Sequence, residues 1–129
     1  MKTILIDCDG VILDWEEAFH EYMNSMGYER SATEGYVEEQ YNKDRSQVIQ
    51  YIHDVNHSDK IKNLNPIKDS IHYMKLLKSI DYNFICITSI STNESVKKNR
   101  IENFDKLLGK DFFDEIIFLN TAEKKDHVL

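Results

Sequence analysis

The stretch Ile4-Leu5-Ile6-Asp7-Cys8-Asp9-Gly10-Val11, near the start of this 129-residue chain, decides which fold and which chemistry the sequence predicts. Its first three residues form an apolar run that predicts a strand buried on both faces. Asp7 and Asp9 follow, and side chains two positions apart on an extended backbone point the same way. Paired carboxylates repel each other unless a cation lies between them. Because ligands of an open α/β sheet bind at the carboxyl ends of its strands, the stretch predicts a catalytic turn, with an ordinary Asp-Gly turn as the alternative.

The composition limits the partners and the compartment. A chain of this length can bury one ordinary hydrophobic core, and its formal net charge of −7 disfavours binding to nucleic acid. Cys8 and Cys86 are the only cysteines, and both lie in or beside apolar runs. This pattern predicts reduced core residues in a cytoplasmic protein. We also expect no membrane partner, since no segment has the apolar length of a membrane span.

An amphipathic helix is predicted directly after the acidic turn. Apolar residues recur at helical spacing from Trp15 to Met26, and Gly27 occupies the position of a left-handed stop. Asp14 and Glu17 have the spacing of a capping box. The next segment, residues 28–63, is polar and helical by pattern with few Pro or Gly residues, which predicts a helical insertion rather than a linker.

The second half of the chain alternates helices and strands. Asn65-Pro66 predicts the start of a helix, and strands are predicted at residues 83–89 and 115–119. Between these strands, Ser91 with Glu94 has the pattern of a capping box. This order implies right-handed crossovers, so we predict an α/β fold: a Rossmann-like, three-layer parallel sheet with helices on both faces.

Three strand ends bring polar groups to one edge of this predicted sheet. They are Asp7 with Asp9, Thr88 with Ser89, and a lysine just beyond the third strand, Lys124 or Lys125. A carboxylate can attack phosphorus to form an acyl phosphate, while a second acid protonates the leaving oxygen and later deprotonates water. A divalent cation, a hydroxyl and an ammonium group can neutralise the phosphoryl oxygens. The combination predicts phosphoryl transfer, whereas each hydroxyl or lysine alone is equally consistent with a helix cap or a solvated charge.

The residues that carry this chemistry resemble the motifs of the haloacid dehalogenase superfamily of phosphohydrolases. The stretch from Ile4 to Val11 resembles the first motif, Phe84-Ile-Cys-Ile-Thr88 resembles the second, and Lys125, or else Lys124, resembles the third. Within the superfamily, Asp-x-Asp-Gly-Val followed by Leu13-Asp14-Trp15 is most similar to the 5'(3')-deoxyribonucleotidase-like branch, whose small phosphatases also occur in phages. Sugar-phosphate phosphatases and mutases begin with nearly the same motif.

The resemblance implies a role for each candidate residue. Asp7 would be the nucleophile and a Mg²⁺ ligand, and Asp9 the general acid/base whose backbone carbonyl is a further ligand of Mg²⁺. Thr88 would bind the phosphoryl group and Lys125 would neutralise its charge. Further candidate substrate contacts are Gly10, Trp15, Phe19 and Ser89. The implied core comprises residues 1–13 and 66–129, and the implied helical cap comprises residues 14–65. The implied activity is hydrolysis of a small phosphorylated metabolite, with nucleoside and deoxynucleoside monophosphates as candidates.

The superfamily's fourth motif, a set of acidic residues at the end of a further strand, has no counterpart in these 129 residues. The sequence stops within an incipient helix that has no stop signal, and the first strand would form an unprotected edge. We therefore expect the chain to be a fragment, or a prematurely ended reading frame, with little hydrolytic activity by itself.

Two other functions stay open on the sequence. A non-catalytic relative that binds a ligand or partner through its cap would also lack the fourth motif. A phosphorelay receiver domain also uses acids, a threonine and a lysine on a parallel sheet. Receivers, however, have an adjacent acid pair, a phosphoacceptor on the third strand, where this chain has Leu119-Asn120, and no long insertion after the first strand. The sequence makes no prediction of the oligomeric state.

Overall fold

A single parallel sheet organises the fold. The computed structural model describes residues 2–120, and in it three strands lie in the order β1-β2-β3. The strands are β1 (Lys2–Asp7), β2 (Tyr82–Ile90) and β3 (Glu115–Asn120). The register pairs Asp7 with Ile87 and Thr88 with Phe118, so the carboxyl ends of the strands lie at the same edge. The predicted α/β fold with a parallel sheet is confirmed.

Helices connect these strands. The described helices are α1 (Trp15–Ser25), α2 (Val37–Tyr41), α3 (Arg45–Asn56), a 3-10 helix (Asp59–Asn63), α4 (Ser70–Ser79) and α5 (Glu94–Leu108). All the helices before α4 belong to the long connection between β1 and β2, where the sequence predicts a helical insertion. The division into a core and a cap at residues 14–65 stays a prediction. No helix within residues 2–120 has the length and apolar character needed to cross a membrane.

Local signals define both ends of α1. The side chain of Asp14 accepts a hydrogen bond from the backbone N–H of Glu17, at 3.1 Å, and so caps the helix. The second half of the predicted capping box is not formed, because the N–H of Asp14 donates to the carbonyl of Asn65 instead. Gly27 follows the helix with φ +86°, the left-handed conformation that favours glycine. The apolar stripe of the helix faces the core through Ala18, Phe19 and Met23, all of which are buried.

Two predicted helix starts are wrong. Pro66 begins no helix: it forms an isolated bridge with Leu13, and α4 starts four residues later at Ser70. Pairing with the turn after β1 therefore overrides the local preference of Pro for a first helical turn. In α5 the cap is Asn93 rather than Ser91, because the Asn93 side chain accepts N–H hydrogen bonds from the first turn of the helix.

The prediction that the first strand is buried on both faces is also wrong for the described residues. β1 lies at the edge of the three-strand sheet, and Leu5 is 54% exposed. Its neighbours Ile4 and Ile6 point to the other face and pack against the hydrophobic core. Cys8 and Cys86 lie in that core as free, buried thiols, in agreement with the prediction from their apolar surroundings.

Replacing Asp14 tests whether a local cap stabilises α1. We expect Asp14→Ala to lower the free energy of unfolding by about 1 kcal/mol, because the N–H of Glu17 loses its partner. Asp14→Ser is the matched control, since a serine hydroxyl can accept the same hydrogen bond. Urea unfolding followed by circular dichroism gives both values. An equal loss in the two variants would contradict the capping role.

Candidate active site

The turn after β1 is built around a single carbonyl oxygen. The carbonyl of Cys8 accepts N–H hydrogen bonds from Val11 (3.1 Å), Ile12 (2.8 Å) and Leu13 (3.1 Å), and the N–H of Gly10 donates to the carbonyl of Leu13 (2.9 Å). Gly10 has φ +79°, a conformation that other residues adopt only with strain. We call residues 7–13 the acid turn, because this compact loop holds the aspartates on either side of Cys8 at the carboxyl end of β1.

The two aspartates have different surroundings. Asp7 is exposed, and its carboxylate accepts the N–H of Cys8 at 2.7 Å. The side chain of Asp9 is only 30% exposed, and its Oδ1 accepts a hydrogen bond from Nη1 of Arg100 at 2.8 Å. A nucleophile must be reachable, whereas a general acid/base must be held in place. Asp7 is therefore the more accessible of the two carboxylates and Asp9 the more constrained, and the roles predicted for them stay predictions.

Arg100 is the main site residue that sequence reasoning missed. It lies on α5 and is fully buried. Besides its hydrogen bond to Asp9, its Nη1 contacts Cys8 Sγ and lies 3.4 Å from Thr88 Oγ1. Burial opposes the charge of Arg100, but the neighbouring carboxylate of Asp9 favours it, and the pKa of Arg100 is raised, so the guanidinium stays protonated. Burial also raises the pKa of the Cys8 thiol, which therefore accepts the contact as a neutral group.

A signal for Arg100 exists in the sequence. The buried residues of α5 include Val96, Arg100, Phe104 and Leu108, which recur every four positions. A charged residue within such an apolar stripe is unusual, because charged side chains are rarely fully buried unless they are paired. The stripe predicts the burial, but nothing local in the sequence identifies Asp9 as the partner.

Thr88 and Ser89 lie near the carboxyl end of β2. Thr88 is fully buried, and its hydroxyl accepts the contact from Arg100. In this conformation Thr88 contacts Arg100, which in turn contacts the acid turn. The phosphoryl contact predicted for Thr88 stays a prediction. Ser89 points to the opposite face of the strand, and its Oγ is buried without a hydrogen-bond partner among residues 2–120. The predicted lysines, Lys124 and Lys125, lie outside the described residues.

Trp15 and Phe19 do not share one role. Phe19 is 1% exposed and stacks under Trp15, with ring centroids 5.0 Å apart, so it supports Trp15 and presents no surface to a ligand. Trp15 is partly exposed, and its Nε1 donates to Oδ1 of Asn56 at 2.8 Å. This hydrogen bond joins α1 to α3 beside the acid turn.

A small cavity of about 130 Å³ lies between α3 and the end of β2. It is lined by Ile49, Ile52, His53, Asn56, His57 and Ile90. The rings of His53 and His57 are stacked, with centroids 4.0 Å apart. Burial and the neighbouring His53 lower the pKa of His57, which favours its neutral form. Both histidines are exposed, and the cavity wall is otherwise mostly isoleucine.

The described residues offer a partial set of donors that Mg²⁺ could use. Residues 2–120 contain no group of three or more His, Cys, Asp and Glu side chains placed to hold a metal ion. The carboxylate of Asp7 and the backbone carbonyl of Asp9 are nevertheless oxygen donors of the kind that Mg²⁺ prefers. Because Mg²⁺ commonly uses one or two carboxylates together with waters and substrate phosphate, this donor set fits in type but is partial in number.

A curated phage protein has a sequence similar to this chain. No protein-family model matches the sequence. The chain is 25% identical over 132 residues to an uncharacterized 32.4 kDa protein in the Gp30-rIII intergenic region of Enterobacteria phage T4, a match that covers 96% of this chain and 47% of that protein. The chain thus spans about half the length of this curated relative.

A solved structure has a similar fold. It is a protein of Thermotoga maritima, assigned provisionally as a beta-phosphoglucomutase, with a TM-score of 0.50 and 16% sequence identity. The alignment covers 96% of this chain and 64% of that protein. Likeness at this level of identity establishes the fold.

Gly10→Ala tests the conformation of the acid turn. A Cβ at Gly10 would meet no atom within 4 Å, so the penalty comes from φ +79° alone and should be about 1 kcal/mol of unfolding free energy. Gly27→Ala is the matched control, with φ +86° and equally open space. We expect similar losses in both variants by urea unfolding, but faster amide hydrogen exchange of Val11 and Ile12 only in Gly10→Ala. Unchanged exchange at these two amides would show that the turn does not need this conformation.

Proposed function

We propose that the protein is a Mg²⁺-dependent phosphomonoester hydrolase of the haloacid dehalogenase type. The observation that carries this proposal is the pair of carboxylates at the carboxyl end of β1: Asp7 is exposed, and Asp9 is held by the buried Arg100. The motif order in the sequence and the shared fold with a provisionally assigned phosphomutase are consistent with it. A receiver domain fits less well, because the two acids flank Cys8 and a long helical connection follows the turn.

The reaction assigns one task to each acid. The carboxylate of Asp7 attacks phosphorus to form an acyl phosphate, while the P–O bond of the ester breaks and Asp9 donates a proton to the leaving oxygen. Water then attacks the same phosphorus, Asp9 accepts its proton, and phosphate leaves with the carboxylate of Asp7 restored. Bound Mg²⁺ would offset the negative charges of the acids and the substrate. Lys125, or else Lys124, is the proposed cation that neutralises the phosphoryl oxygens.

We further propose that the leaving group is a nucleoside, so that the substrate is a nucleoside or deoxynucleoside monophosphate. The cavity between α3 and the end of β2 supports this choice, because its wall combines isoleucine side chains with a stacked imidazole pair. Flat apolar surfaces suit a nucleobase, whereas a sugar phosphate would require mainly hydrogen-bonding groups. Trp15 adds a partly exposed aromatic ring that is hydrogen-bonded to Asn56, one of the residues lining the cavity.

The decisive experiment on the reaction replaces the nucleophile. Wild-type protein with Mg²⁺ and a panel of deoxynucleoside monophosphates should release phosphate slowly, since the described residues supply only part of a Mg²⁺ shell. Asp7→Asn should abolish both this release and the phosphoryl adduct that mass spectrometry detects on Asp7 after acid quenching. Asp111→Asn is the control, because Asp111 precedes β3 and therefore lies towards the amino ends of the strands.

Each outcome distinguishes the two main functions. Adduct and phosphate release that survive in Asp7→Asn, or that are absent from the wild type, would overturn the hydrolase proposal. Retained affinity for a nucleotide in Asp7→Asn without any turnover in the wild type would instead support a non-catalytic binding protein.

Replacing Ile52 tests the nucleoside cavity. We expect Ile52→Ser to raise KM for a deoxynucleoside monophosphate about tenfold, because the apolar contact to the base is lost, while KM for acetyl phosphate stays unchanged. Ile80→Ser is the matched control, since Ile80 is exposed at the end of α4 and does not line the cavity. Equal changes in KM for both substrates would exclude the cavity as the site of the base.

A further inference from the structure

The side chain of Arg100 is buried at a high energetic cost. It is fully inaccessible to solvent, and only its Nη1 has hydrogen-bond partners within residues 2–120, whereas Nε and Nη2 have none there. Removing a charged group from water is unfavourable unless its donors are satisfied, and an apolar side chain of similar volume often packs equally well at such a position. Packing alone therefore does not account for an arginine in the apolar stripe of α5.

The contacts of Nη1 all converge on the acid turn and on the strand beside it. Asp9 accepts at 2.8 Å, Cys8 Sγ is in contact, and Thr88 Oγ1 lies at 3.4 Å. Cys8 lies between the two aspartates in sequence, and Thr88 belongs to the neighbouring strand β2. One nitrogen atom thus joins the turn, β2 and α5 at a single point.

We propose that Arg100 is the positioning residue of the acid turn: its guanidinium fixes the Asp9 carboxylate, together with Cys8 and Thr88, so that the general acid/base stays at a set position relative to Asp7. This inference rests on the proposed hydrolase function, in which Asp9 carries the proton. Arg100 is inaccessible to substrate, so it acts through Asp9 and not on the phosphoryl group. A misplaced acid/base lowers the rate of the chemical step without weakening substrate binding.

The shape and the charge of the guanidinium both matter to this role. A lysine at the same position has one compact ammonium group on a flexible stem, so it can keep the charge but not the planar arrangement of N–H donors. A methionine keeps much of the length and apolar volume of the stem but removes every donor. The series Arg100→Lys and Arg100→Met therefore separates charge from geometry, and Arg100→Ala opens a space that a free guanidinium ion can fill.

The experiment measures the acid turn directly. In Arg100→Met we expect amide hydrogen exchange of Ile12 and Leu13 to become roughly 10- to 100-fold faster, while exchange in β3 stays unchanged. Arg100→Lys should give an intermediate value. Lys98→Ala is the control, because it removes one positive charge from the same helix at an exposed position and should leave the exchange unchanged.

Chemical rescue and kinetics separate positioning from general structural support. For Arg100→Ala, low millimolar guanidinium chloride should restore slow exchange in the turn, whereas urea and sodium chloride at the same concentration should not. Provided that hydrolysis by the unchanged protein requires Asp7, Arg100→Met should lower kcat about 10- to 100-fold and change KM by less than about threefold. Arg100→Lys should keep part of the activity that Arg100→Met loses.

The outcomes for Arg100 and for the hydrolase can be told apart. Absence of hydrolysis that depends on Asp7 would overturn the proposed function and with it the catalytic part of this inference, while the exchange data would still decide whether Arg100 holds the turn. The positioning role is overturned if Arg100→Met leaves exchange in the turn unchanged, if exchange rises equally throughout the sheet, or if urea rescues as well as guanidinium. Should Arg100→Ala fail to fold, Arg100→Met and Arg100→Lys decide the question by the same measurements.

Discussion

The ion pair between Arg100 and Asp9 is the interaction on which the arrangement of the site depends. The guanidinium is fully buried and the carboxylate is partly exposed, so the pair links the interior of the protein to its edge. Breaking such a pair leaves an uncompensated charge in the core, which is far more costly than losing an exposed salt bridge. The position of Asp9 is therefore constrained much more strongly than a surface side chain would be. Its neighbour Asp7 is held mainly by the backbone, through the N–H of Cys8.

The register of the parallel sheet makes this ion pair possible. Asp7 lies opposite Ile87, which places the acid turn beside Thr88. The helix α5, which connects β2 to β3, packs on the face of the sheet where Arg100 contacts Cys8. Arg100 reaches both strands from that helix, seven residues after its cap at Asn93. The acid turn thus depends on three elements that are distant in sequence. A local turn signal such as Asp-Gly can specify the shape of the loop, but not this support beneath it.

This distinction explains which features could be predicted from the sequence. The strands and the cap of α1 at Asp14 follow from local patterns, and the structure contains them. The start of α4 could not be predicted, because Pro66 pairs with Leu13 in a contact between residues far apart in the chain. The exposure of Leu5 agrees with the unprotected edge that the sequence predicts for the first strand, and it contradicts the burial on both faces that the apolar run alone suggests.

The candidate site was predictable to a similar degree and for the same reason. Asp7 and Asp9 follow from two-residue periodicity at a strand end, and the structure places both at the carboxyl edge of the sheet. The burial of Phe19 follows from the apolar stripe of α1, whereas the contact between Thr88 and Arg100 depends on how α5 packs on the sheet and was not predictable. Arg100 itself needed tertiary structure, since its partner Asp9 lies 91 residues away in the chain.

In the proposed hydrolase, the chemistry and the choice of substrate would occupy different elements, and this separation has a physical basis. The acid turn is rigidly supported by buried contacts from β2 and α5, whereas the cavity is formed largely by α3 within the connection between β1 and β2. The hydrogen bond from Trp15 to Asn56 joins these two regions beside the turn. A change of side chains on α3 can therefore alter the leaving group that is accepted while the contacts that hold Asp9 stay in place. Under the proposed function, every phosphomonoester requires the same fixed acids while its leaving group differs, so a fixed acid turn with a separate cavity would suit a phosphatase.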